Sequence, residues 1–394
     1  MSFVRFPEGF LFGSATSAHQ VEGHQVGNTW TDWEAAGRCA EPSGDAIDHW
    51  HRWPEDLDLL VSLGHQAYRL SLEWSRLEPQ PGRYDDAAFA HYTAVLTGMR
   101  ERGLTAFVTL YHFTLPRWLP SWTEPAAVEH WARFVAEAGR RLGHLMPFVC
   151  TVNEPQIVAL VGHLYGEHPP GRTDHATTVQ VSGVMREVHR RAVAALRDVA
   201  PGCQVGTCLH VPDVHPADSS VEAVQATRAL SALAVDDYLH DLRSSTDPGD
   251  FVGLQYYAPL YVGPAGVVRD HGDRETTQLG WLIDPQGLRR TLELVAGVGL
   301  PVYVTENGIA TQDDGRRTRY LRDHLAVVAE AIADGIDVRG YLHWSAFDNY
   351  EWTAGYRPTF GLIAVDRTTQ RRTPKASAFA YRDLILAATE CLPT

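Results

Sequence analysis

Short apolar runs recur along the chain at 11–15, 67–72, 105–110, 148–152, 204–209, 251–256, 301–305 and 338–343. Each is bounded by turn-forming residues and is too short for a helix, so each predicts a strand buried on both faces. Helical spacing fills most of the intervals. In 125–142, Val128, Trp131, Phe134, Val135, Ala138 and Leu142 fall on one stripe, with Arg133, Glu137 and Arg140 between them. The stretches 54–63, 85–102, 178–199, 288–295 and 318–334 share that rhythm, and Gly64, Gly103, Gly143, Gly202, Gly299 and Gly335 stand after helix ends as stop signals. Eight alternations predict an α/β fold, a single (β/α)8 TIM barrel over residues 1–394. An open doubly wound sheet would also alternate, but it would carry G-x-G-x-x-G after its first strand. Phe12-Gly13-Ser14-Ala15 is not that motif.

Composition narrows the class. Apolar residues make up 44%, enough for a large core, and the net charge is −14 with no basic stripe. A nucleic-acid partner is therefore excluded, and the acidic excess predicts a solvated surface. Cys39, Cys150, Cys203, Cys208 and Cys391 are odd in number and lack C-x-x-C spacing, which argues against a disulfide framework and a zinc knuckle. Met1 to Pro7 show no apolar signal core, and no run approaches a membrane span. The expectation is a soluble cytoplasmic protein with no membrane partner; a homo-oligomer is left open.

Barrels of this kind hold their chemistry at the carboxyl ends of the strands. The polar residues there are His19 and Gln20, then Arg69, Glu73 and Arg76, then His112, Asn153, Glu154, Tyr257 and Glu306. Trp344, Asp348 and Glu351 follow the eighth strand, while the fifth, near His210, is poorly defined. Two motifs stand out, Thr151-Val152-Asn153-Glu154-Pro155 and Val304-Thr305-Glu306-Asn307-Gly308. Alone, the first could be a helix start with Asn as cap, and the second a tight turn with Asn-Gly at positive φ. On two strand ends of one barrel they supply the paired carboxyls that cleave a glycosidic bond.

The two carboxyls need different protonation states. Arg69 and Tyr257 should keep Glu306 ionised. Glu154, without an evident basic neighbour, should stay protonated beside that negative charge and release its proton once the charge is lost. A retaining pair lies about 5–5.5 Å apart and an inverting pair roughly 6.5–9.5 Å. His49-Trp50-His51 has the H-x-H spacing of metal-dependent barrel hydrolases, but it precedes Pro54-Glu55-Asp56, which reads as a helix start. The two histidines are therefore expected to pack or cap, and no metal is required. Trp131 lies on an apolar helix face, whereas Trp344 and Trp352 flank Asp348 and Glu351, where an indole can meet the C–H face of a sugar.

The chain resembles glycoside hydrolase family 1, the β-glucosidase family, over essentially its whole length. The resemblance is carried by Phe10 to Gly23, by Tyr68 to Arg76, by both glutamate motifs, by Trp344 to Trp352 and by Arg372 to Ser377. It implies a retaining β-glycosidase on a (β/α)8 barrel without cofactor, with Glu154 as acid/base and Glu306 as nucleophile. It also implies that Gln20, His112, Asn153, Glu351 and Trp352 bind the non-reducing sugar. In the family pattern Asn153 meets the 2-hydroxyl, Trp344 is the sugar platform, and Arg69 and Tyr257 are the nucleophile's partners. Family members acting on 6-phosphosugars carry serine where this chain has Glu351, and a carboxylate there repels phosphate.

The chain departs from the pattern at Gln255, usually Asn, at Phe113, usually Trp, and at Gln156, where many members place a leaving-group Trp. The 211–250 stretch is short for the family. A more open and more polar leaving-group side is expected, with Trp281, Trp118, Trp122 and Phe360 as candidate walls, Phe360 toward the sugar. The resulting expectation is an exo-β-glycosidase releasing β-D-glucosyl residues from a small-molecule β-glycoside. β-Galactosidase, β-fucosidase or transglycosidase activity on the same site is the nearest alternative. A catalytically weak sugar-binding protein is the alternative of another class, motivated by Gln255 and Gln156.

Overall fold

The computed structural model describes residues 6–390, so Cys391 and most of the N-terminal segment considered above fall outside the described residues. Eight strands close into one parallel barrel: β1 (Leu11–Ala15), β2 (Ala67–Ser71), β3 (Thr105–Tyr111), β4 (Phe148–Asn153), β5 (Gln204–His210), β6 (Phe251–Gln255), β7 (Val302–Asn307) and β8 (Val338–Trp344). Each pairs with its sequence neighbours, and β8 returns to β1 with Gly340 opposite Leu11. Every predicted run is a strand, with ends within two residues of those expected.

The barrel is filled rather than hollow. Phe107 stacks on Phe148 at 4.3 Å between ring centroids, and Phe251 and Tyr303 close over them edge-on. Two residues beyond Phe107, Phe148 and Tyr303 come Thr109, Cys150 and Thr305, which with Arg69 on β2 and Cys208 on β5 form the next buried layer. The interior thus turns from aromatic to polar toward the carboxyl ends of the strands, as a floor beneath a polar site requires.

The outer ring includes Asp86–Glu101, Ala127–Leu142, His175–Val199, Pro285–Ala296, Asp314–Ala333 and Ala376–Glu390. Their starts follow local chemistry: the Asp85, Asp174, Asp284 and Asp313 carboxylates each accept from first-turn amides. The first large helix runs His49–Ser62, five residues earlier than Pro54 predicted. Trp50 N donates to Glu22 O and His51 N to Asp48 O, so this first turn is bonded without the proline, which the helix then absorbs.

The 211–250 stretch, for which no elements were predicted, holds helices Val221–Ser231 and Asp237–Ser244. It also contributes strand Asp213–Pro216, which pairs with Pro259–Gly263 in a small three-stranded sheet outside the barrel. These pieces wall part of a second cavity that adjoins the cleft described next.

Candidate active site

Strict alternation would not place both motif glutamates in the cleft. On β7, Val302 and Val304 pack outward into the barrel–helix core, while Tyr303 belongs to the interior cluster. A period of two would send Glu306 outward with the valines. The β6–β7 register shifts between Val304 and Glu306, and the irregularity turns Glu306 inward. The same device operates on β4: the β4–β5 register shifts between Cys150 and Asn153. Thr151 reaches out to His189, Val152 joins the outer core, and Asn153 enters the cleft.

Glu306 is nearly enclosed and meets three donors. The Arg69 guanidinium donates to Oε1, Gln255 Nε2 donates to the same oxygen at 2.8 Å, and the Tyr257 hydroxyl donates to Oε2 at 2.6 Å. Arg69 also donates to Asn153 Oδ1 at 2.6 Å, and Gln255 Nε2 reaches that oxygen at 2.9 Å. Asn153 is thereby fixed by its carbonyl, which leaves its NH2 for a ligand. Burial pushes the Glu306 carboxyl up, to about 8; the Arg69 cation pulls it down, Glu154 adds to the rise and Tyr257 opposes it. The net direction is the reverse of the sequence expectation, because loss of water outweighs the cation. Gln255, flagged in the sequence only as a departure, is a full member of this shell.

Glu154 occupies a left-handed backbone position, φ 45° and ψ 60°. Pro155 explains part of it, since a residue before proline is pushed out of the right-handed helical region. Glu154 N donates to Cys208 O at 2.7 Å, and Glu154 is the N-cap residue of helix Pro155–Ala159 without a side-chain cap bond. Glu154, rather than Asn153, is therefore the cap, and its carboxyl is left for the cleft. The structure also supplies the neighbour that the sequence concealed: His210 Nδ1 lies 3.5 Å from Glu154 Oε1. The only signal for it was its position at the end of the fifth strand.

Both glutamates line one cavity of about 340 Å³, together with His112, Asn153, Tyr257, Trp344, Glu351, Trp352, Phe360 and Trp281. Gln20 stands behind it, donating to Tyr350 O at 2.6 Å and approaching Glu351 Oε2 at 3.5 Å. Burial, with Arg69 nearby, holds His112 well below the usual imidazole range, so it is neutral and can both donate and accept. Burial likewise pushes Glu351 up to about 8, with Glu306 and Glu154 adding to the rise. The Trp344 and Trp352 rings stack parallel to His112 at 6.0 Å each. A pyranose-sized space with indole faces and converging carboxyl and amide groups is a site for a polyhydroxylated ring.

Other expectations are corrected. Trp118 and Trp122 do not line the cleft. Trp122 is buried against Trp74, Tyr111 and Trp131, and Trp118 packs edge-on to Trp74 with Nε1 bonded to Glu78 O. The segment after β3 folds back onto the aromatic face of helix Ala127–Leu142 and takes both indoles with it. Glu73 bonds Ser75 and Thr114, Arg76 pairs with Glu22 at 3.0 Å, and Asp348 pairs with Lys375 at 2.8 Å. These hold loops. Asn307 and Gly308 form no left-handed turn. The Asn307 amide bonds Tyr256 O and the Tyr320 hydroxyl, and a Cβ on Gly308 would sit 1.7 Å from Trp344 O. His49 bonds Asp56 at 2.7 Å, whereas His51 joins His24 and Asp48 in an outlying group whose ligand atoms lie within 4.8 Å of one another. Among the described residues no helix is long and apolar enough to cross a membrane.

Comparison with known proteins identifies the family. The sequence profile described as glycosyl hydrolase family 1 matches residues 3–249 and 240–390. Beta-glucosidase A of Thermotoga maritima is 31% identical, with 98% of each chain covered. A beta-glucosidase of an Agrobacterium species is 33% identical over 97% of this chain and 95% of its own. Among solved structures, a beta-glycosidase from Pyrococcus horikoshii superposes with a TM-score of 0.93 at 34% identity, over 98% of this chain and 96% of the other. The Thermotoga maritima beta-glucosidase in complex with glucoimidazole gives 0.92 at 30% identity, over 98% and 99%.

Proposed function

The chain belongs to glycosyl hydrolase family 1 and is a glycoside hydrolase of the β-glucosidase type, and from that premise we propose that it releases terminal β-D-glucosyl residues with retention of configuration. The single observation that carries this reading is the asymmetry between the two carboxyls of one cavity. Three donors, one of them a guanidinium, converge on Glu306, while among the described residues the one ion-pair partner of Glu154 is His210.

Two buried carboxyls in one cavity hold a proton between them. Burial raises Glu306, so the reacting form is the one in which that shared proton sits on Glu154, and the three donors around Glu306 are what favour this arrangement. With a sugar on the Trp344 face, Glu306 attacks the anomeric carbon as Glu154 protonates the departing oxygen. The ester that forms removes one negative charge, so Glu154 then accepts a proton from water and the water oxygen displaces Glu306. Gln20 and Glu351 close the far end of the sugar pocket, which supports removal of single terminal units.

The product anomer tests the stereochemistry. Proton NMR during turnover of an aryl β-glucoside should show β-glucose first, with α-glucose following only by mutarotation; α-glucose first would overturn the retaining mechanism. An aryl cellobioside should lose glucose before any cellobiose appears, and the opposite order would overturn the exo reading. A 2-deoxy-2-fluoroglucoside should label the peptide that contains Glu306.

A further inference from the structure

The cleft continues past the sugar pocket. A second cavity of about 520 Å³ adjoins it, the two sharing Ile157, Val161, His210, Leu279, Trp281 and the charged pair Glu167 and Arg269. Its far walls are Leu160, Leu230, Leu260, Pro212, Ala234 and Val267, drawn from the segment after β4, the 211–250 insertion and the small outer sheet.

Its polar members are few beside its alkyl walls, and several bond one another or the backbone. Gln156, expected to make this side polar, is 1% exposed, and its amide nitrogen donates to His210 O at 2.7 Å and Ala234 O at 3.1 Å. Arg269 and Glu167 pair with each other at 3.2 Å, and His271 Nδ1 is taken by Arg274. The Gln156 Oε1 and His210 Nδ1 atoms are buried without a hydrogen-bond partner, and Tyr165, Glu167 and Arg269 are exposed. A second sugar placed here would lose water from its hydroxyls and regain few hydrogen bonds. An apolar ring or chain would lose nothing polar and would cover Leu160, Leu230 and Leu260.

Resting on the glycosidase reading above, we propose that the substrates are β-glucosides of apolar alcohols, aryl, alicyclic or alkyl, rather than oligosaccharides. The bond broken is that between the anomeric carbon and the alcohol oxygen. The proton on Glu154 passes to that oxygen, and water supplies the hydroxyl to the sugar and restores the proton.

The test uses the purified chain with dinitrophenyl β-D-glucoside, hexyl β-D-glucoside and cellobiose. The expected kcat/KM for the hexyl glucoside exceeds that for cellobiose by about tenfold or more, although an alkanol is the poorer leaving group. Cellobiose turned over equally well or better would overturn this inference alone. No turnover of the dinitrophenyl glucoside would overturn the glycosidase reading itself. Leu230→Gln on its helix and Leu260→Gln on its strand should each lower the hexyl-to-cellobiose ratio about tenfold. Folding of each variant is checked by thermal melting, and an unchanged ratio in either folded variant would also overturn the inference.

Discussion

The two cavities that meet at Trp281 are made of different material. The sugar pocket is assembled largely at the ends of barrel strands, and in it Asn153, Tyr257 and Glu306 are buried and fixed by bonds among themselves and with Arg69 and Gln255. The neighbouring cavity is assembled from connections, namely a short helix, an insertion and an outer sheet, and its far walls are alkyl. The barrel frame holds atoms to the tolerance that bond breaking needs, while the connections can change shape without disturbing it. Chemistry and choice of leaving group are thus carried by separable parts of the chain.

Substitutions can break that division. Glu306→Ala is expected to cost at least about 10⁴-fold in kcat for every substrate; a loss confined to one leaving group would blur the two regions. In kcat/KM, which reports the bond-breaking step, Glu154→Ala should fall about 10²–10⁴-fold on hexyl glucoside but far less on dinitrophenyl glucoside, whose leaving group needs no proton. Equal losses on both would deny Glu154 the acid role.

Glu351→Gln sharpens the contrast from the side of stability. Its folded carboxyl is raised to about 8 by burial. Its stabilising contribution is complete below the unfolded value and is lost as pH rises through about 8. The amide should therefore lower kcat/KM by about 10²-fold yet raise Tm by about 2 °C at pH 9 and by less at pH 5. A variant melting lower than wild type at pH 9 would contradict the electrostatic account. The smallest effect is expected of Tyr257→Phe. Its hydroxyl favours the Glu306 anion, so its loss should move the acid limb of kcat/KM upward by about one pH unit. A limb that stays in place, or moves downward, would remove Tyr257 from the control of Glu306.

The same division explains what could be read from sequence. The eight strands were legible because burial on both faces forces unbroken apolar runs. The strand-end residues followed once the strands were counted. The connections were not legible: 211–250 carries helices and a strand that pack on other insertions, and nothing periodic in it says which. Trp118 and Trp122 show that an indole has the same letter in a core as in a cleft. Gln156 shows that a polar side chain can be spent on backbone carbonyls and leave an apolar wall. His210 was hidden because its partner is set by barrel closure, not by neighbours along the chain.

The register slip ahead of Glu306 has a consequence for how such a molecule can change over generations. Side chains on β7 face alternate sides, so losing or gaining one residue between Val304 and Glu306 would swing the carboxyl from the cleft into the ring of helices. Insertions and deletions are therefore tolerable between strands and ruinous within this one. Lineages descended from such a chain can lengthen, shorten or redecorate the rim at will, while the count of residues along the seventh stave stays locked.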